Sequence, residues 1–310
     1  MAERTIVITG ASDGIGASAA RTLALAGERV VVVGRSGGKT RAVAEEIGAD
    51  YFVSDFADLS QVRALAAQLK ARYPRIDVLV NNAGGIMGKR ELTVDGHEKT
   101  FQVNHLAPFL LTNELLDVLT ASKATVINTS SAANAFGHVD IDDLDAAGKY
   151  STNRAYGTAK LENILFTTEL HHRFNAAGIS TAAFHPGGVA TNFAAESTSW
   201  FRFAYKTFIK RFMLTPEQGA DTLVWLATTE PGRDWASGAY YAKRALAKAN
   251  RQAYDAGLAR QLWDRSEELV SPRGERRGSR RWHPLSATER SPTRIQVPGG
   301  RTDNPGGSRS

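Results

Sequence analysis

Along the first 270 positions the apolar residues follow two alternating rhythms. Short, nearly continuous apolar runs recur at Thr5–Thr9, Arg29–Gly34, Asp50–Ser54, Asp77–Asn81, Ala124–Thr129, Ser180–His185 and Gly238–Ala242. Such runs suit strands covered on both faces, where every successive side chain meets a packing layer. Between them, apolar residues recur at every third or fourth position, as in Ala17–Ala26, Leu59–Tyr73 and Tyr156–Ala177. That spacing lines one side of a helix. Gly27 and Gly178 stand where a helix C-terminus calls for a left-handed residue. Strand and helix signals in alternation predict an α/β fold: a doubly wound parallel sheet of about seven strands with helices on both faces. No internal repeat interrupts the pattern.

After Val270 the periodicity stops, and the segment from Ser271 to Ser310 is dominated by Gly, Pro, Ser and Arg. It is too poor in apolar groups to offset the entropy of ordering it, so the reading is one domain over 1–270 and a disordered basic tail over 271–310. The formal charge of +6 changes meaning once it is located. The tail holds nine arginines, no lysine and three acids (Glu275, Glu289, Asp303), which accounts for the whole excess. A near-neutral body is not the footprint of a nucleic-acid-binding domain, so no nucleic-acid partner is expected. The chain has no cysteine, which removes disulfides and thiolate chemistry. No apolar run approaches the roughly 18 residues of a spanning helix, and the first strand leads into glycines rather than a cleavage site. The expected setting is cytoplasmic.

The first strand runs into Thr9-Gly10-Ala11-Ser12-Asp13-Gly14-Ile15-Gly16 and then a helix. Glycines let the backbone turn tightly and approach a pyrophosphate, which sits at the N-terminus of the helix that follows. Gly10, Ser12, Asp13, Gly14, Ile15 and Gly16 are therefore candidate cofactor contacts, and the sheet is expected to be a single Rossmann-type one. The end of the second strand faces the adenosine ribose in this arrangement. An acid there bonds the ribose of NAD, whereas arginine accommodates the phosphate of NADP. The sequence has Arg35 at that point and no acid until Glu45. NADP(H) is favoured, with NAD(H) as the alternative.

Further motifs then appear in order: Asp55 with Phe56, Asn81-Asn82-Ala83-Gly84, Asn104, Ser131, Tyr156-Gly157-Thr158-Ala159-Lys160, and Pro186-Gly187-Gly188-Val189-Ala190-Thr191. Together with the glycine turn, this ordered set resembles the short-chain dehydrogenase/reductase family over roughly residues 3 to 270. A closer likeness is to its retinol dehydrogenase and WW-domain oxidoreductase branch. It rests on Val103-Asn104-His105-Leu106, on Tyr156 through Leu170 and on Leu262 through Leu269. The resemblance implies a catalytic set of Asn104, Ser131, Tyr156 and Lys160. It further implies cofactor contacts at Asp55 and Phe56 (adenine), Asn82, Ala83 and Gly84 (the adenosine-side cleft), Pro186, Gly187 and Val189, and Thr191 (the nicotinamide carboxamide). A homo-dimer or tetramer is also implied.

The chemistry gives these residue types a purpose. Tyr156 and Lys160 are four apart and share a face of their helix. A free phenol titrates near pH 10 and an adjacent ammonium favours its ionised form. Tyr156 would then exchange a proton with the substrate oxygen. Ser131 would hold that oxygen, Lys160 would also bind the nicotinamide ribose as the resemblance implies, and Asn104 resembles the residue that holds a relay water. The expected function is hydride transfer between a nicotinamide and a carbonyl or alcohol of a fairly apolar small molecule. The alternative is a non-catalytic protein that binds the cofactor or docks a partner on the same fold.

Substrate choice is expected from Asn192 to Leu214, where Trp200, Phe201, Phe203, Tyr205, Phe208, Phe212 and Met213 alternate with Arg202, Lys206, Lys210 and Arg211. A lid over an apolar pocket is the favoured reading. Peripheral contact with a membrane surface and packing against another subunit are the other two. No metal site is expected: His171-His172 lacks a second ligand pair, and the acidic loop Asp140, Asp142, Asp143, Asp145 lacks an EF-hand pattern.

Overall fold

The chain alternates strand and helix from its first described residues. The computed structural model describes residues 3–187 and 214–271. The strands are β1 (Thr5–Thr9), β2 (Arg29–Gly34), β3 (Asp50–Val53), β4 (Val78–Asn81), β5 (Thr125–Thr129), β6 (Ser180–Phe184), β7 (Ala239–Ala242) and β8 (Ala245–Leu246). The helices are α1 (Gly14–Leu25), α2 (Gly37–Ile47), α3 (Leu59–Arg72), α4 (Ala107–Glu114), α5 (Leu116–Ser122), α6 (Thr152–Phe174), α7 (Pro216–Thr228) and α8 (Ala256–Val270). One sheet runs in the order β3-β2-β1-β4-β5-β6-β7-β8. Its ladders are parallel from β3 to β7, with Ile6 opposite both Val30 and Val78. The order reverses beside β1, which is where an open α/β sheet leaves a crevice at its strand ends.

The expected seven strands are all present, most of them a residue shorter at one end. The eighth is a correction. β8 pairs antiparallel with β7 through a two-residue loop, Ala242 lying opposite Ala245. Both loop residues, Lys243 and Arg244, have positive φ (51° and 59°). A turn of this kind is usually announced by Asn-Gly or Asp-Gly, and Lys-Arg carries no such signal. The helix bounds also shift. α1 starts at Gly14, three residues before its apolar periodicity begins, because the Asp13 side chain accepts from the Gly14 amide and opens it there.

Apolar side chains from the two sides of the sheet form two cores. One gathers Ile6, Ile8, Val30 and Val32 with Ala17, Ala20 and Leu23 of α1 and Leu223 and Leu226 of α7. The other gathers Val7, Val31 and Leu79 with α3, α4, α6 and α8, and is rich in Phe, with Trp263 among them. α8 was seen in the sequence as a likeness only. In the fold it is an amphipathic helix whose Leu262, Trp263, Ser266 and Val270 are buried. Arg63 of α3 fastens its end by donating to the carbonyl of Val270.

Candidate active site

The glycine turn is seated on the strip that follows β4. Thr9 Oγ1 accepts from the amides of Asn82 and Ala83, both at 3.0 Å. Asn82 Nδ2 returns bonds to the carbonyls of Thr9 (3.0 Å) and Gly10 (3.2 Å), and its Oδ1 accepts from Thr129 on β5. The fit is so close that a Cβ on Gly10, already at φ +65°, would lie 2.7 Å from Ala83 Cα. On Gly16 it would lie 2.4 Å from the Gly10 carbonyl oxygen. Asn81 turns instead toward α4 and β5, donating to Thr112 and Asn128.

At the end expected to face the adenosine, Ser12 abuts Gly34 at the end of β2, and Arg35 is exposed just beyond. The sequence reading missed Lys39. Its Nζ lies 3.2 Å from Asp13 Oδ2, so a second cation reaches the glycine turn from the first turn of α2. The only sequence signal was its place, four residues after Arg35, in a helix whose start faces the turn. Asp55 is partly committed to its own loop, where Oδ1 accepts from the Ala57 amide at 3.0 Å. Phe56 is buried in the core and offers its carbonyl to Gln102. Its ring is therefore a packing group.

Asn104 is presented by a defect in a helix. A short α-turn (Lys99–Phe101) passes into a π-turn (Gln102–Leu106) before α4 begins. Pro108 is four residues beyond Asn104 and has no N–H, so it cannot close the usual bond to the Asn104 carbonyl. The Asn104 side chain is fully engaged: Oδ1 accepts from Gly85 N (3.0 Å), and Nδ2 donates to the carbonyls of Gly85 (3.0 Å) and Thr100 (2.8 Å). A relay water held by this residue would therefore sit on its backbone carbonyl, not on its amide.

Tyr156 and Lys160 stand on one face of α6, 5% and 2% exposed. The Lys160 Nζ is 5.5 Å from the centroid of the Tyr156 ring and donates to the Thr129 carbonyl at 3.2 Å. Gly84 lies beside it: a Cβ there would fall 2.4 Å from Asn104 Oδ1 and 3.1 Å from Lys160 Nζ. Burial pushes the Lys160 ammonium down to about 7, because the charged form loses its hydration. The two serines after β5 differ. Ser130 is buried and donates to the Lys160 carbonyl at 2.7 Å, while the half-buried Ser131 caps the turn Ala132–Phe136. The Ser131 carbonyl accepts from Asn134 Nδ2 (2.7 Å) and from the hydroxyl of Tyr240 on β7 (3.3 Å). Asn250, beyond β8, locks Asn134 in turn by donating its amide to Oδ1 at 2.9 Å.

Pro186 and Gly187 follow β6 as expected, with Gly187 N donating to His185 Nδ1 at 3.1 Å. Gly188, Val189 and Thr191 lie outside the described residues, as do the aromatic segment 192–213 and the tail from 272. The fold thus brings the glycine turn, Asn82–Gly84, Asn104, Tyr156 and Lys160 to one crevice beside β1. Among the described residues no group of three or more His, Cys, Asp or Glu is placed to hold a metal ion. His171 bonds Ser237, and Asp145 of the acidic loop accepts from the Glu98 amide. No described helix is long and apolar enough to cross a membrane.

The family model for short chain dehydrogenases matches residues 4–201. The chain belongs to this family. Among curated proteins, this short-chain dehydrogenase is 42% identical over 274 residues to DnrU of Streptomyces sp. (strain C5), a candidate daunorubicin C-13 ketoreductase. That match covers 86% of this chain and 92% of the relative. It is 36% identical to human retinol dehydrogenase 11, with 86% of each chain covered. Among solved structures, an uncharacterised protein from Mycobacterium paratuberculosis aligns with a TM-score of 0.70 at 34% identity, covering 87% of this chain and 94% of the other. A candidate short-chain dehydrogenase from Shigella flexneri, complexed with NADP, aligns with a TM-score of 0.59 at 27% identity, covering 76% and 95%.

Proposed function

We propose that this short-chain dehydrogenase uses NADP(H) to transfer a hydride to or from a carbonyl or alcohol carbon of a fairly apolar small molecule. One observation carries the reading: the Lys160 ammonium and the Tyr156 phenol are buried together on α6, with Asn104 and Gly84 against them. The nicotinamide, when bound, supplies or accepts the hydride. The chain's own residues handle the oxygen and its proton. Ser131 holds the substrate oxygen toward Tyr156, whose hydroxyl gives a proton during reduction and takes one during oxidation. Lys160 favours the phenolate by its charge, and dryness around both groups strengthens that attraction. The glycine turn and the start of α1 receive the pyrophosphate, Arg35 and Lys39 receive the ribose phosphate, and Thr191 orients the nicotinamide. The domain spans 1–270, and substrate preference resides in 192–214. The relatives named for a ketoreductase and a retinol dehydrogenase support a carbonyl–alcohol couple on a bulky apolar frame.

The test is NADPH oxidation across aldehydes, polycyclic ketones, quinones and retinal, with Tyr156→Phe as the paired variant. The expected result is turnover that falls about 10²-fold or more in the variant, the usual share of general acid–base catalysis. Full turnover by Tyr156→Phe sinks the mechanism. Silence across the whole panel from folded, NADPH-binding protein turns the reading toward a non-catalytic cofactor-binding protein.

A further inference from the structure

Two buried atoms without hydrogen-bond partners belong to side chains that approach each other: Nδ1 of His105 and Oδ1 of Asn163. His105 follows Asn104 in the π-turn and is fully buried, its ring stacked on Phe101 at 5.6 Å and edge-on to Phe166 at 6.1 Å. Burial pushes the imidazole down to about 3, so it is neutral at physiological pH. A neutral imidazole has one N–H donor and one acceptor nitrogen. Its Nε2 lies 3.0 Å from Ser266 Oγ on α8. On the far side, Asn163 Nδ2 donates to the Thr129 carbonyl at 3.1 Å, the same oxygen that receives Lys160 Nζ at 3.2 Å.

We propose that His105 and Asn163 are positioning residues for Lys160, with Ser266 setting their orientation from the C-terminal helix. The Ser266 hydroxyl donates to Nε2, which places the imidazole proton on Nδ1. That proton goes to Asn163 Oδ1, and this fixes which end of the amide meets the Thr129 carbonyl. In the reverse orientation Oδ1 would face the Thr129 oxygen, two acceptors in contact, and the ammonium would be drawn away from Thr129 toward the amide oxygen. Asn163 is one helical turn from Lys160, so a small shift of the amide is felt directly by the ammonium. The line runs from α8 to the catalytic pair through fully buried groups. The inference rests on the role of Lys160 proposed above.

The experiment has two arms. In the first, long-range ¹⁵N–¹H spectra of histidine-labelled protein, with the His105 signal assigned from His105→Phe, read the tautomer between pH 5.5 and 8. The expected signature is a neutral ring protonated on Nδ1 throughout. A proton on Nε2, or an imidazolium, overturns the proposal whatever the variants do. In the second arm, Asn163→Leu keeps the side chain's bulk and removes its polar ends. Expected is a kcat about tenfold lower, the cost of one misplaced hydrogen bond, with KM for both substrates within about twofold. Ser266→Ala should mix the two tautomers and lower kcat about threefold, a smaller share of the same bond. Wild-type kcat in folded Asn163→Leu overturns the proposal. Lys160→Met separates the two levels: if it retains turnover, the proposed role of Lys160 fails. If it is inactive while Asn163→Leu is unaffected, only the positioning fails.

Discussion

The two faces of the sheet are built to different depths. On the face of α1 and α7 the core is mostly Val, Ile, Ala and Leu, joined by Phe184, Trp235 and Tyr241, and α1 keeps a wet side, with Thr22 and Leu25 exposed. On the other face, α6 is buried without a break from Ala159 to Thr167, because α8 covers the side that the sheet does not. A helix covered all round is normally apolar. This stretch carries Lys160, Glu162, Asn163 and Thr167. His105, Lys160, Glu162 and Glu169, in α6 or the adjoining π-turn, are buried ionisable groups on this deeper face. The shallow face offers the backbone of the glycine turn and the exposed cations Arg35 and Lys39. The deep face can hold charges away from water, where they act on one another strongly.

The largest effect should come from uncovering the deep face. Trp263 of α8 is fully buried, 5.0 Å from Phe109 and 5.7 Å from Phe166, with the Arg173 guanidinium 4.7 Å over its ring. Trp263→Ala is expected to cost about 3–5 kcal/mol in urea unfolding. Amide exchange should quicken in Ala159–Thr167 before it does in β1 and β2. A loss below about 1 kcal/mol would mean that α8 is an ornament on this face, not part of its core.

On the shallow face the expected effects are smaller and concern binding. Arg35→Ala should weaken NADPH by about tenfold, a charge-assisted bond's worth, and leave NADH unchanged. Lys39→Ala should do the same by a lesser factor, since Lys39 already shares its charge with Asp13 and is exposed. Calorimetric titration with both cofactors decides: equal losses for NADPH and NADH would remove the phosphate from this corner.

A last effect, of comparable size, concerns a buried carboxyl of α6. Glu162 has neither carboxylate oxygen bonded, and burial, with Glu98 and Asp145 nearby, holds its carboxyl well above the usual range. A group raised in the folded state binds its proton longer than the unfolded chain does, so folding stability falls as pH rises past the unfolded value of about 4.3. Glu162→Met removes that loss. It should stabilise the protein by on the order of 1–2 kcal/mol at pH 7, with the gain over wild type widening from pH 4 to pH 8. A gain that does not change with pH would show that Glu162 is partnered in solution.

Much of the strand–turn–helix start was legible in one dimension because its determinants are local. A strand, a glycine turn and a helix start are consecutive, and the turn's shape follows from positions 9 to 16 alone. Tyr156 and Lys160 were legible for the same reason: a helix puts residues four apart on one face wherever the helix lies. β8 was not legible, because Lys243-Arg244 is an unusual pair for a tight hairpin. Lys39 was missed because its partner, Asp13, is distant in sequence and meets it only when α2 is docked beside the turn.

By itself, then, the sequence determined the alternation of strands and helices, the glycine turn and the proximity of the Tyr–Lys pair, all set by backbone geometry over a few residues. Tertiary structure alone decided what surrounds that pair. The Asn104 clasp on Gly85, the lock of Tyr240 and Asn250 on the Ser131 turn, and the cover of α8 over α6 join segments far apart in the chain. So does the dryness that lowers Lys160 and raises Glu162 two residues away. Burial is a property of what packs against a side chain, and periodicity along one helix cannot tell a lysine facing water from one facing a tyrosine.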